Sequence, residues 1–218
     1  MTVALLDTAY AALAELVCDL DDAESWEPTG CRGWVVRDLA FHVTCDAQRA
    51  LVALHTPTEA SADRDAVTYW QGWGDDPDAD ADGRRWTRVS GSMFGRWEQL
   101  RDLHAERAAA VRHAGAAADP DGRVRTQGHV LTVADLASTL AVEATLHHLD
   151  LVRHLPGRSG PAPAGLAEVR RVVEALVGPF PADLDDERVA LVGTGRADPG
   201  ADEAAALGDV LTRLPAFS

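Results

Sequence analysis

Residues 132–155 carry the clearest structural pattern in this chain, a long run of apolar residues at helical spacing. Thr132 followed by Asp135 is typical of a helix start, and Pro156 is typical of a stop. The apolar positions recur at three- and four-residue steps, which is the period of an α-helix. They are Leu136, Leu140, Ala144 and Leu151, with His147 in the same series. The pattern predicts one amphipathic helix.

Within this predicted helix, the segment VEATLHHLDL at 142–151 places two polar side chains on the apolar face. Glu143 and His147 are four residues apart, so their side chains project from one face about a turn apart. A carboxylate and an imidazole that face a core are costly to bury unless they are paired or hold a metal. Spacing alone leaves an alternative open. His147 would then be a core histidine whose ring is hydrogen-bonded inside the protein.

The composition excludes several classes of function. A net charge of −15 argues against a nucleic-acid or anionic-membrane partner, since binding phosphate requires a basic surface. All 20 basic residues are arginine, which excludes a Schiff-base or pyridoxal lysine and the lysine of a P-loop. No apolar run approaches the roughly 20 residues of a membrane span, and no basic residue precedes Arg32, unlike a signal or transit peptide. A cytoplasmic location is therefore expected.

The chain has three cysteines, Cys18, Cys31 and Cys45. Their odd number and their lack of C-x-x-C spacing favour reduced thiols over a disulfide framework. One of them would be available as a nucleophile, but the pattern favours buried, inert thiols.

Further apolar periodicity predicts three more long helices, at about 5–20, 35–55 and 90–117. Between the last two the chain is both acidic and aromatic. The acidic run at 75–82 is predicted to be a solvated loop. The aromatic residues of this region are predicted to pack over the end of a bundle, or alternatively to line a pocket mouth. They are Tyr69, Trp70, Trp73 and Trp86. Four long amphipathic helices predict an all-α four-helix bundle.

The C-terminal part follows a linker rich in glycine and proline at 156–163. It is expected to contain a helix at 164–177, a strand at 188–192 and a short tail helix at 201–214. This segment is too small for a core of its own and should pack on the bundle. The predicted organisation is a helical bundle over 1–155 and a small C-terminal α(/β) extension over 156–218.

A third polar residue, His42, lies inside the predicted helix 35–55. Bundles build metal sites from side chains on adjacent helices, so His42, Glu143 and His147 form a candidate ligand set. Two imidazoles and one carboxylate suit Zn²⁺, and also Fe²⁺, Ni²⁺ or Co²⁺. Asp38 and Asp150 each lie near one of the histidines along the chain and are candidate acceptors for an imidazole N–H. Asp38 would equally suit the first turn of a helix.

Two motifs together resemble the mycothiol-dependent maleylpyruvate isomerase family. They are GWVVRDLAFHV at 33–43 and VEATLHHLDL at 142–151. The resemblance implies a DinB-like metal-binding four-helix bundle in which His42, Glu143 and His147 bind a divalent metal, commonly zinc. It also implies mycothiol, or another low-molecular-weight thiol, as cofactor. Trp34, Asp38 and Asp150 stand where the family motifs have the same residues.

The chain departs from the family in two places. Val35 replaces the usual Ser or Thr, so the second helix lacks a side-chain cap, which typically costs about 1 kcal/mol. The larger C-terminal domain of the isomerase, which contributes a catalytic arginine, is not recognisable. Arg196, in the segment GTGR, is the candidate for a corresponding anion-binding role.

The resemblance implies a metal-dependent thiol enzyme, either an S-transferase or an isomerase, acting on a small electrophilic substrate. The metal would lower the pKa of the bound thiol and so supply a thiolate nucleophile at neutral pH. Two other functions remain open: a non-catalytic small-molecule-binding or regulatory module, and a metal-dependent hydrolase. A small molecule is the expected partner, and the protein is expected to be a monomer or a homodimer.

Overall fold

The computed structural model describes residues 2–72 and 77–217 of the chain. In these residues the chain forms eight α-helices and one antiparallel hairpin. The helices are α1 Thr2–Asp19, α2 Val36–Leu54, α3 Pro77–Gly91, α4 Trp97–Ala117, α5 Val133–Val152, α6 Pro163–Val177, α7 Asp186–Gly193 and α8 Ala201–Leu207. The hairpin strands are β1 Arg123–Thr126 and β2 His129–Thr132.

Helices α1, α2, α4 and α5 form a four-helix bundle, which confirms the predicted all-α architecture. Both α1 and α2 pack against α4 and also against α5. The apolar positions that recur at helical spacing meet in the centre of the bundle, where Leu13, Leu39, Val111 and Leu140 are almost completely buried. The bundle therefore brings the inward faces of α2 and α5 together.

Helix α5 begins and ends close to the predicted positions. Thr132 is its N-cap, and its hydroxyl oxygen accepts a hydrogen bond from the backbone N–H of Asp135 at 3.0 Å. The hairpin ends at Thr132 and leads directly into the helix. Because α5 packs against α1, α2 and α6, most of its surface is buried. Polar side chains on α5 must therefore find partners inside the protein.

The predicted helix at 90–117 is wrong in its first turns. The structure has two helices there, because α3 ends at Gly91 and α4 begins at Trp97. At the start of α4, the Gln99 side chain accepts a hydrogen bond from the backbone N–H of Arg96, the N-cap residue, at 3.2 Å.

The acidic run at 75–82, predicted to be a solvated loop, is helical in its described part. From Pro77 onward it is the start of α3, where proline suits the first helical position because its missing N–H would have no intrahelical partner. Asp75 and Asp76 lie outside the described residues.

The aromatic region contributes mainly to packing. Tyr69 and Trp70 are buried in a short 3-10 turn, and Trp70 stacks on Phe217 with ring centroids 4.3 Å apart. Trp86 on α3 is 57% exposed and lies against Phe41, at 5.3 Å between centroids. Trp73 lies outside the described residues.

The described part of the C-terminal segment is helical and packs on α1 and α5. The strand predicted at 188–192 is wrong, because these residues belong to α7. Asp185 caps that helix by accepting a hydrogen bond from the backbone N–H of Arg188 at 2.7 Å. The predicted tail helix is shorter than expected and continues as the 3-10 turn Gly208–Arg213. None of the described helices is long and apolar enough to cross a membrane.

Candidate metal centre

The bundle brings His42 of α2 and His147 of α5 together. Their Nε2 atoms are 3.1 Å apart, and the two rings meet edge to face. Two ligands of a tetrahedral zinc ion, each about 2.0–2.1 Å from the metal, lie about 3.3 Å from one another. The separation of the two imidazole nitrogens is therefore close to that of two ligands on one ion.

A third donor, which the sequence analysis missed, completes this cluster. Asp46 lies one turn after His42 on α2, and its Oδ2 is 3.3 Å from His42 Nε2. Donor atoms of His42, Asp46 and His147 all lie within 4.8 Å of one another. Among the described residues, Asp46 Oδ2 is buried and accepts no hydrogen bond. A buried carboxylate oxygen without a donor, beside two imidazole nitrogens, is the arrangement expected at a cation site.

Glu143, the carboxylate predicted as a metal ligand, lies outside this three-residue cluster. Its Oε2 accepts a hydrogen bond from Arg49 Nη2 at 2.6 Å. The same Arg49 nitrogen donates to Asp46 Oδ1 at 3.2 Å, so one guanidinium joins both carboxylates. Burial raises the pKa of Glu143, and the adjacent Arg49 opposes that rise. The structure thus gives Glu143 a cationic partner inside the protein and puts Asp46 beside the two histidines.

Asp150, predicted as an acceptor for an imidazole N–H, does contact His147. Its Oδ2 lies 3.1 Å from His147 Nδ1. A proton on Nδ1 leaves the Nε2 lone pair free to face the cluster, and a carboxylate partner favours that tautomer. Burial alone would raise the pKa of Asp150, but hydrogen bonds from His147 and Arg196 hold it well below the ordinary value.

Arg196, the candidate for an anion-binding role, has this carboxylate as its partner. Its Nε and Nη2 donate to the two oxygens of Asp150 at 3.0 and 2.9 Å, a bidentate pair. The hydrogen-bonding edge of Arg196 is therefore directed at Asp150. Through this pair, the C-terminal extension contacts the carboxylate that lies behind His147.

Cys31 is the cysteine nearest to the centre. Its thiol donates to Asp150 Oδ2 at 3.3 Å and lies 4.0 Å from His147 Nδ1. Burial and the adjacent Asp150 carboxylate raise the pKa of Cys31, so it stays a neutral thiol near pH 7. Burial also raises the pKa of Cys18 and Cys45. The chain's own cysteines are therefore poorly suited to act as thiolate nucleophiles.

Asp38, for which two roles were considered, lies at the start of α2. Its Oδ2 accepts a hydrogen bond from the backbone N–H of Val35 at 3.2 Å, which is the role of an acid in a first helical turn. The carboxylate next to His42 is Asp46 instead. Val35 is the N-cap and provides no side-chain cap.

The centre is partly open to solvent. The His42 side chain is 30% exposed, and that of His147 is 15% exposed. Trp34 packs beside His42 with ring centroids 5.2 Å apart and covers part of its surface. A small molecule therefore has access to the cluster from the His42 side.

Comparisons with known proteins agree with this fold. The mycothiol maleylpyruvate isomerase N-terminal domain family matches residues 6–152. A crystal structure of the mycothiol-dependent maleylpyruvate isomerase has a TM-score of 0.56 and 17% identity, covering 81% of this chain and 70% of the other. A histidine-to-alanine mutant of that isomerase gives the same values. No curated protein sequence matches the chain significantly. Because the matched residues make up more than half of the chain, this protein belongs to the mycothiol maleylpyruvate isomerase N-terminal domain family.

Proposed function

We propose that this protein is a divalent-metal-dependent thiol enzyme of the cytoplasm. It would act as an S-transferase or isomerase on a small electrophilic substrate, with mycothiol or another low-molecular-weight thiol as cofactor. The observation that carries the proposal is the cluster of His42, Asp46 and His147, in which a buried carboxylate oxygen accepts no hydrogen bond and the His42 side chain is partly exposed to solvent. Membership of the family supports the choice of thiol.

The donor set fits a divalent borderline ion. His42 and His147 would supply imidazole nitrogens and Asp46 a carboxylate oxygen, which suits Zn²⁺ and also Fe²⁺, Ni²⁺ or Co²⁺. Three protein donors leave a position for a further ligand, as in catalytic zinc sites. When bound, the ion would supply the positive charge that lowers the pKa of a thiol.

The remaining residues have supporting roles. Asp150 orients His147, and Arg196 holds Asp150 in place. Arg49 balances the negative charge of Asp46 and Glu143, so that two carboxylates are tolerated in one partly buried site. Because burial raises the pKa of all three cysteines, a separate low-molecular-weight thiol is the better candidate nucleophile.

Cobalt substitution tests whether the site accepts a thiol. Protein loaded with Co²⁺ should show a sulfur-to-cobalt charge-transfer band on addition of a small thiol, together with proton release near neutral pH. The His147→Ala variant is the control and should show neither signal. A wild-type protein that gives neither signal would rule out thiol activation at this centre.

Turnover distinguishes an enzyme from a binding module. The metal-loaded protein, mycothiol and a panel of electrophilic alkenes and epoxides would be analysed by mass spectrometry. A retained adduct identifies a transferase, whereas an isomerised alkene with free thiol identifies an isomerase. Thiol binding without turnover across the panel would instead favour a non-catalytic binding protein.

A further inference from the structure

A second feature lies near the candidate metal centre and is lined in part by Trp34, which packs beside His42. It is a cavity of about 550 Å³ between α3 and the segment that precedes α2. Arg32, Arg84, Arg85 and Arg88 line it, and the nine described residues that line it include no acidic residue. We call it the arginine pocket. Its volume is within the range of small-molecule sites, roughly 300–1,000 Å³.

The charge of this pocket is opposite to that of the protein. The chain has 35 acidic residues against 20 basic ones, so a surface region of average composition would be acidic. In the described structure Arg32, Arg84 and Arg88 form no ion pair, and Arg85 has only a distant contact of 3.8 Å with exposed Asp82. The Asp38 carboxylate acts on Arg88 at longer range. Within the described residues, Arg32, Arg84 and Arg88 therefore have no close carboxylate partner that an external anion would have to displace.

The spacing of the arginines along α3 is unfavourable for the free protein. Arg84 and Arg88 are one turn apart on the same helix face, and like charges at that spacing destabilise a helix. An anion bound between them would remove this repulsion. Guanidinium groups also match carboxylate and phosphate oxygens with two parallel hydrogen bonds each.

Two walls of the pocket contribute charge. Arg32 comes from the segment before α2, whereas the other three arginines come from α3. A ligand with a single anionic group would engage only part of this set. Trp34 adds an apolar surface to the pocket and also packs against His42 at 5.2 Å between ring centroids. Trp34 thus contacts both the pocket and His42 of the candidate metal centre.

We propose that the arginine pocket binds small polyanions, molecules with two or more carboxylate or phosphate groups. The inference goes beyond the thiol chemistry proposed above and does not depend on it.

Calorimetric titration of the full-length, metal-loaded protein tests the proposal. Propane-1,2,3-tricarboxylate represents carboxylates, inorganic pyrophosphate represents phosphates, and acetate is the monoanion control. At least one polyanion should bind, acetate should bind much more weakly, and affinity should fall as salt is added. The variant R84Q/R88Q should weaken polyanion binding by at least about tenfold.

A matched variant controls for net charge. R125Q/R153Q removes the same number of charges from exposed arginines outside the pocket and should leave affinity within about twofold of wild type. Equal losses in the two double variants would show a general charge effect and overturn the proposal.

The H147A variant separates the pocket from the metal, since polyanions also bind metal ions. Polyanion binding should persist in H147A, because His147 does not line the pocket. Binding that disappears in H147A but survives in R84Q/R88Q would place the anion on the metal and overturn the proposal. If neither polyanion binds to the wild-type protein, the proposal is also overturned.

Discussion

At the scale of single residues, Arg49 contacts both carboxylates beside the candidate centre. Its Nη2 donates a hydrogen bond to Glu143 Oε2 at 2.6 Å and another to Asp46 Oδ1 at 3.2 Å. This leaves Asp46 Oδ2 free beside His42, whereas Glu143 Oε2 is engaged in a short ionic hydrogen bond. Ligation through Glu143 Oε2 would have to break that contact in a partly buried site, which is costly.

Metal analysis of isosteric variants tests this assignment. Wild type should bind one divalent ion per chain, and His42→Ala, His147→Ala and Asp46→Asn should each lose most of it. Glu143→Gln should retain most of the metal, because Glu143 lies outside the three-residue cluster. Elemental analysis of protein purified without a histidine tag is the measurement. Full occupancy in Asp46→Asn with loss in Glu143→Gln would restore the ligand set implied by the family resemblance.

His104 is a buried residue with a predictable pH effect. Burial lowers its pKa from 6.5 to about 4. Its Nδ1 is 3.1 Å from the Thr44 hydroxyl, which itself donates to the Ala40 carbonyl, so Nδ1 carries the proton. Between pH 6.5 and 4 the unfolded state binds the extra proton, and the folded state therefore loses about 3 kcal/mol of stability as the pH falls.

The matched test compares two histidines of α4. Urea unfolding of His104→Leu should show a shallower loss of stability between pH 6.5 and 4 than wild type does. His113→Leu, at an exposed position of the same helix, should keep the wild-type slope. Equal slopes for wild type and His104→Leu would contradict the assignment.

The sequence could predict part of this centre. Helical spacing on α5 and the family motif point to His147 and, on α2, to His42. The same four-residue spacing relates His42 to Asp46, so the third donor was recognisable in principle. The contact between Arg49 and Glu143 could not be predicted from the sequence. The two residues are 94 positions apart and meet through the packing of α2 on α5.

At the scale of elements, periodicity found the helices that bury a wide apolar face. It failed for α3, because the described side chains from 81 to 86 and at 88 and 89 are exposed and the helix has little apolar face to detect. It also failed for α7, where β-branched residues suggested a strand but the Asp185 cap and packing against α6 favour a helix. At α7, capping and tertiary contacts outweighed local propensity.

The N-terminus of α2 offers a stability test at this scale. Asp38 already accepts a hydrogen bond from the Val35 N–H, but valine returns none to the helix. Val35→Thr would complete the capping box and should raise the free energy of unfolding by about 0.5–1 kcal/mol. Val52→Thr, exposed in the interior of the same helix, is the control and should be neutral or slightly destabilising. A Val35→Thr variant no more stable than Val52→Thr would contradict the capping argument.

At the scale of the whole molecule, an ion pair joins the C-terminal extension to the bundle beside the candidate metal centre. Arg196 follows α7 in the extension, whereas Asp150 lies on α5 of the bundle. Asp150 is almost completely buried, and its Oδ2 also contacts His147 and Cys31. The extension therefore supplies the charge that allows a buried carboxylate to orient a candidate ligand.

Arg196→Gln should consequently affect stability and metal binding together. The lost pair should cost about 2 kcal/mol, below the range for fully buried pairs because Arg196 keeps 18% side-chain exposure. Metal affinity should fall about 10- to 100-fold, since the carboxylate behind His147 is no longer held. Arg188→Gln removes an arginine paired with Glu203 inside the extension and should leave metal affinity unchanged. In an Asp150→Asn background Arg196→Gln should have little further effect on affinity, because Arg196 acts through Asp150. An undiminished effect in that background would mean that Arg196 reaches the centre by another route.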